Sequence, residues 1–131
     1  MDIILGDSAT ADDTFARVAH GMEENVIASD KGVFDVIKET STEQNIKVHV
    51  GTIGSGKVFY ATVEDDYAKF EKDFEIIAGE MESIALFANP KALGKQAGCL
   101  LTVSDSHFKP DTNLSAEARQ NAFNDMMVLA L

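Results

Sequence analysis

The stretch GTIGSGKVFY, residues 51–60, decides how the chain divides into strands and helices. Gly51, Gly56 and Lys57 fit the G-x-x-x-x-G-K frame of a phosphate-binding loop, but the next position, which in such loops carries a hydroxyl for Mg²⁺, is Val58. A working loop of that kind runs from strand into helix, so that backbone N–H groups at the helix start face the phosphates. Here the glycines are followed by VFYAT, whose β-branched and aromatic residues predict an extended segment. The stretch therefore reads as a glycine-rich turn between two strands. The first is NIKVHVGTI, with Ile46, Val48 and Val50 on one face, and the second is KVFYATV.

Working toward the N-terminus, SDKGVFDVIKETSTEQ offers Ser29 or Asp30 as N-cap and sets Val33, Phe34 and Ile37 at helical spacing. DSATADDTFARVAHGMEEN before it is polar without clean periodicity and predicts a long loop with one helical turn. DIILG, residues 2–6, predicts a short buried strand closed by glycine. Toward the C-terminus, EDDYAKFEKDF places Tyr67, Phe70 and Phe74 on one side of a helix, EIIAGEME is a short strand, and MESIALFANPKALG is a helix that Pro90 should bend or interrupt. QAGCLLTVSD is another apolar strand. The last helix opens at Ser115 and sets Ala118, Ala122, Met126 and Leu129 on one face.

Strands alternating with helices predict an α/β fold with a largely parallel sheet flanked by helices, and the 131 residues fit one domain. Ligands of such sheets bind beyond the carboxyl ends of strands, which directs attention to GEME and TVSD. The charge balance, 22 acidic against 11 basic residues, repels nucleic acid and anionic membranes. No apolar run reaches the ~18 residues of a membrane span, and the first residues lack the basic-then-apolar pattern of a signal peptide, so a soluble, cytoplasmic protein is expected. Cys99 has no second cysteine to pair with, and its apolar surroundings predict a buried, inert thiol.

In an extended GEME, Glu80 and Glu82 would point to one face and would suit the two hydroxyls of a ribose diol; equally, acidic residues there could serve a helix N-terminus. Asp105, ending the most apolar strand, is either a partly buried general acid or a solvated turn former. Arg119 falls in the first turns of the last helix, an unfavourable place for a cation unless a specific anion meets it; the alternative is an ordinary surface arginine.

Taken together, VFY, GEMES, LLTVSDS and EARQNAFNDMMVLAL, in this order and spacing, resemble the carboxyl-terminal half of the hexameric, bacterial-type purine nucleoside phosphorylases, and DIILGDSATADDTF resembles the segment that enters that half. The resemblance covers essentially the whole chain. It implies a twisted, mostly parallel sheet flanked by helices, and cleavage of purine ribo- or deoxyribonucleosides by inorganic phosphate to free base and ribose 1-phosphate. No metal or organic cofactor is implied; phosphate is the co-substrate. Residue by residue, Asp105 resembles the acid that protonates N7 of the purine, and Arg119 the arginine that approaches it. Ser104 resembles a residue flanking the base, and Phe59 the aromatic that packs on the purine. Met81 and Glu82 resemble the ribose contacts, with Glu80 lining the same pocket. Lys57 is then a surface residue.

Such enzymes are nearly twice as long as this chain, and the phosphate-gripping arginines and the histidine shared across their dimer interface have no counterpart among these residues. Ser106 stands where many members carry histidine. The expectation is a partial nucleoside phosphorylase-like domain over residues 1–131, inactive in isolation. It would pair with a missing N-terminal half or assemble into a homo-oligomer, which in the resembled family is a hexamer built as a trimer of dimers. The alternatives are a nucleosidase of the same superfamily, which uses water, and a noncatalytic nucleoside-binding or assembly fragment.

Overall fold

A computed structural model provides the tertiary structure; it describes residues 2–60, 65–106, 109, 111, 113–121 and 123–131. In chain order the elements are β1 (Ile3–Ala11), α1 (Phe15–His20), β2 (Val26–Ala28), α2 (Lys31–Glu43), β3 (Val48–Ser55), α3 (Asp65–Asp73), β4 (Ile76–Glu80), α4 (Ser83–Ala92), β5 (Cys99–Thr102), α5 (Ala116–Asn121) and α6 (Asn124–Ala130).

β1 is the hub. Along one side it pairs in parallel with β3, which in turn pairs in parallel with β4. Its other side is shared: the first half holds β5 antiparallel, Ile3 opposite Thr102 and Gly6 opposite Cys99, and the second half holds β2 antiparallel, Thr10 opposite Val26. The α/β class agrees with the sequence pattern, and the sheet is mixed. Asp7 is the hinge of this sharing. The β1–β3 register slips between Gly6 and Ser8, and the Asp7 carbonyl accepts from Ser29 N–H at 2.9 Å. The bulge lets one strand serve two partners on the same side.

Two expectations are corrected here. The segment 7–25 is not a long loop: β1 continues through Ala11, and α1 and β2 follow. Ser8, Ala9 and Thr10 look loop-like in composition, but small residues suit a strand flanked on both sides, and Ala9 and Thr10 are completely buried. The glycine stretch is not a turn either, because Gly51 and Gly54 lie inside β3. A Cβ on Gly51 would stand 2.7 Å from Ile77 Cδ1, and one on Gly54 2.8 Å from Ile76 Cδ1, so the glycines admit the isoleucines of β4. Residues 57–60 form no strand, and 61–63, the rest of the expected second strand, lie outside the described residues.

α2 begins at Asp30, whose Oδ1 accepts from Val33 N–H at 2.9 Å. Pro90 lies in the last turn of α4, which ends two residues later at Ala92. The expected final helix is divided into α5 and α6; Ser115 caps the first, its Oγ accepting from Ala118 N–H at 3.1 Å. Ala122 lies outside the described residues.

Side-chain alternation splits the core between the two faces of the sheet. On one face, Ile84, Phe87 and Ala88 of α4 pack with Ile4, Ala9, Ile27, Ile53 and Cys99. Ile53 is fully buried, worth ~1.5–3 kcal/mol for its side chain. Ile3 and Leu5 are buried on the other face, where Thr102 Oγ1 reaches Met126 Sδ of α6 at 3.4 Å.

Candidate active site

Glu80 is the last residue of β4 and pairs with Ser55, the last residue of β3. Its Oε1 accepts from Ser55 Oγ at 2.7 Å and Ser83 Oγ at 2.5 Å; its Oε2 accepts from Glu82 N–H at 2.6 Å and Ser83 N–H at 2.8 Å. Ser55 and Ser83 are almost wholly buried and lie 2.9 Å from one another, and Ser55 Oγ also accepts from Ile84 N–H at 2.9 Å. A carboxylate offers about four acceptor directions, and Glu80 uses them on these donors. It satisfies the otherwise unpaired first amides of α4, as an acid at a helix N-terminus should.

The Glu80 carboxylate, expected to line a ribose pocket beside Glu82, is turned onto donors of this chain. Glu82 lies beyond the strand with φ −127° and ψ −23° at the start of α4, so the alternation that would put both carboxylates on one face has ended. Glu82 is exposed, and its carboxylate has no hydrogen-bond partner among the described residues. Met81 beside it is 43% exposed. Phe59 belongs to the same sheet edge, since Gly56 N–H donates to the Glu80 carbonyl at 2.8 Å and anchors the loop that carries it. The Phe59 ring is largely exposed and meets Tyr60 edge-on at 4.9 Å.

Ser104 and Asp105 are held elsewhere. Val103 N–H donates to the Asp2 carbonyl at 3.0 Å, extending the β5–β1 ladder to the start of β1. Asp105 Oδ1 accepts from Arg119 Nη2 at 2.6 Å, and Oδ2 from Ser104 Oγ at 2.7 Å. Arg119 Nε donates to the Leu114 carbonyl at 3.1 Å, while Leu114 N–H donates to the Ser104 carbonyl at 2.8 Å. Because α5 ends at Asn121, Arg119 lies in its last turn, where the helix dipole suits a cation, and not in the first turns of a longer helix as expected; it pairs with Asp105, and both partners stay half exposed.

The seven side chains named from the sequence form two groups. Phe59, Glu80, Met81 and Glu82 lie where β3 and β4 end, level with Ala11. Ser104, Asp105 and Arg119 lie beyond the start of β1, because β5 runs antiparallel to it. The nine residues of β1 separate the two levels, about 30 Å at ~3.3 Å per residue. Within this chain the expected convergence of Phe59, Glu82 and Asp105 on one cavity is not met.

Two shallow hollows open elsewhere. One, of about 330 Å³, is lined by Lys57 with Asp13, Phe15 and Val18; the other, of about 590 Å³, by Asp2, Lys38, His49 and Ile77 among others. None of the seven residues lines either hollow. Ser55 and Ser83 are the site residues that sequence reasoning missed; the available signal was a serine at a strand end and another at a helix start, where hydroxyls pair with free amides. Cys99 is buried as expected, and burial, with the Glu80 charge as the smaller cause, pushes its thiol pKa up to about 11.

The profile of the phosphorylase superfamily matches residues 1–130. The chain belongs to that superfamily. Among curated relatives, the "Purine nucleoside phosphorylase DeoD-type 2" of Aliivibrio fischeri is 34% identical over 131 residues, covering 100% of this chain and 55% of its own length. The "Purine nucleoside phosphorylase DeoD-type" of Dichelobacter nodosus is 33% identical over 130 residues, 99% of this chain and 54% of its own. This phosphorylase-superfamily chain spans about half the length of the curated relatives it matches, in agreement with the carboxyl-terminal half named from the sequence. Among the described residues no helix is long and apolar enough to cross a membrane.

Proposed function

We propose that this chain contributes the nucleoside-binding side chains of a purine nucleoside phosphorylase and needs a second polypeptide to complete the reaction. The observation that carries the proposal is Asp105 held between Arg119 at 2.6 Å and Ser104 at 2.7 Å; the names of the relatives support the substrate class. Asp105, in its acid form, gives a proton to N7 of the purine as the bond from C1′ to the base breaks and its electron pair passes to the base. The Arg119 guanidinium stabilises the carboxylate left behind. Ser104 flanks the base and Phe59 packs on its ring. Met81 touches the ribose, and Glu82 accepts from its hydroxyls and stabilises the positive charge that develops on the sugar. Inorganic phosphate takes the vacated bond at C1′, giving free base and ribose 1-phosphate with no metal or organic cofactor, in the cytoplasm.

A single cavity requires the acid and the ribose carboxylate to meet, and in this chain they occupy opposite sheet edges. The partner is therefore a second copy or a polypeptide equivalent to the other half of the relatives. The purified chain should bind inosine without releasing hypoxanthine. Mixed with a polypeptide matching the remaining half of a relative, it should release base at a rate set by phosphate, and Asp105→Asn should remove that release about 10²-fold or more. Base release independent of phosphate would favour a nucleosidase. Absence of both inosine binding and release in the mixture would end the proposal.

A further inference from the structure

We infer that Glu80 is a positioning residue for the sugar-binding segment and not a ligand of the sugar: with Ser55 and Ser83 it fixes the backbone that presents Met81 and Glu82. This rests on the reading of Glu82 as the ribose carboxylate. Every acceptor direction of Glu80 is taken by a donor of this chain, two of them the N–H groups of Glu82 and Ser83 at 2.6 and 2.8 Å. A ribose hydroxyl could approach only by displacing one of them. The two hydroxyls that meet Oε1 come from different elements, Ser55 closing β3 and Ser83 opening α4, and both are buried beneath the segment.

The cluster therefore ties three things at one point: the end of β3, which continues into the loop bearing Phe59; the end of β4; and the first turn of α4. Gly56 N–H on the Glu80 carbonyl at 2.8 Å and Ile84 N–H on Ser55 Oγ at 2.9 Å complete the tie. Glu82, by contrast, has a fixed backbone and a carboxylate that no donor among the described residues claims, the arrangement needed for a group that waits for a ligand. Neighbouring acids two residues apart thus have different work, one turned into the protein and one turned out.

The test compares Glu80→Ala, Glu80→Gln and Ser83→Ala in the 131-residue chain by amide hydrogen exchange and by inosine titration. In Glu80→Ala the amides of Glu82 and Ser83 should exchange about tenfold faster and inosine affinity should fall by a similar factor. Glu80→Gln, with its oxygen on the two amides and its NH₂ group on the serine oxygens, should restore both readouts to near the parent values. Ser83→Ala, which keeps the carboxylate, should give a smaller loss in the same direction and decides the matter if Glu80→Ala does not fold. Unchanged exchange at Glu82 and Ser83 in Glu80→Ala would overturn the inference. So would a Glu80→Gln chain with parent exchange and an inosine affinity as low as that of Glu80→Ala, since Glu80 would then be touching the sugar. Failure of the parent chain to bind inosine would count against the proposed function alone, and the exchange readout would still decide the role of Glu80.

Discussion

Glu80 and Asp105 invite comparison, for each ends or follows a strand and each accepts a serine hydroxyl at 2.7 Å. Glu80 accepts from four donors, and the two serines among them are buried. Among the described residues Asp105 accepts from Arg119 and Ser104, and its ion pair is half open to water. The first carboxylate has no acceptor direction to spare, whereas the donors of the second among the described residues take about half of its acceptor directions. Donor count and burial, more than sequence position, separate a carboxylate that holds the fold from one available for chemistry.

Removing Glu80 should have the largest effect. Glu80→Ala takes the charged acceptor away from two buried hydroxyls and from two amides at the start of α4, and a loss of about 3 kcal/mol is expected, read as a lower urea midpoint at unchanged slope. A loss no greater than that of Asp105→Ala would erase the contrast.

Cys99 lies in the core between the two edges and senses Glu80 through its thiol. Its folded pKa of about 11 exceeds the ordinary value of 9.0. The unfolded chain therefore releases this proton first as pH rises. The contribution of this thiol to stability is complete below pH 9 and is lost between pH 9 and 11, by roughly 2–3 kcal/mol. Denaturation series at pH 8, 10 and 11 on the parent and on Cys99→Ala should show a component of the alkaline loss in the parent alone. In Glu80→Ala the window should narrow slightly, because the smaller cause of the shift is gone.

Effects at the Asp105 edge should be smaller. Ser115→Ala removes the cap of α5 and should cost about 1 kcal/mol, with the loss confined to exchange of the α5 amides. Asp105→Asn should cost under about 1 kcal/mol because the pair is exposed, and that difference should shrink further in high salt. A loss as large as that of Glu80→Ala would show that both edges are structural.

Several features were legible in the sequence. The periodicity of residues 31–43, with Asp30 before it, marked α2; alternation marked β3 and apolar runs marked β4 and β5; and the resemblance carried by TVSDS and EARQNAFNDM implied that Arg119 approaches Asp105. The second half of β1 was not legible, because Ser8, Ala9 and Thr10 suit a loop by composition and a crowded central strand by size. The glycines of β3 misled in the same way: their reason is the isoleucines of β4 packed over them, a contact between residues far apart in the chain. The orientation of β5 left no mark either, since an apolar tetrapeptide fits a parallel or an antiparallel neighbour equally well.

By itself the sequence determined the α/β class, the superfamily and the side chains with chemistry to offer, because periodicity, capping and motif spacing are local properties. Tertiary structure alone decided which of those side chains are already used. Whether a carboxylate is free depends on donors brought from other elements, as Ser55 is brought to Glu80, and where it sits depends on strand direction, which puts Asp105 and Glu82 at opposite ends of one sheet.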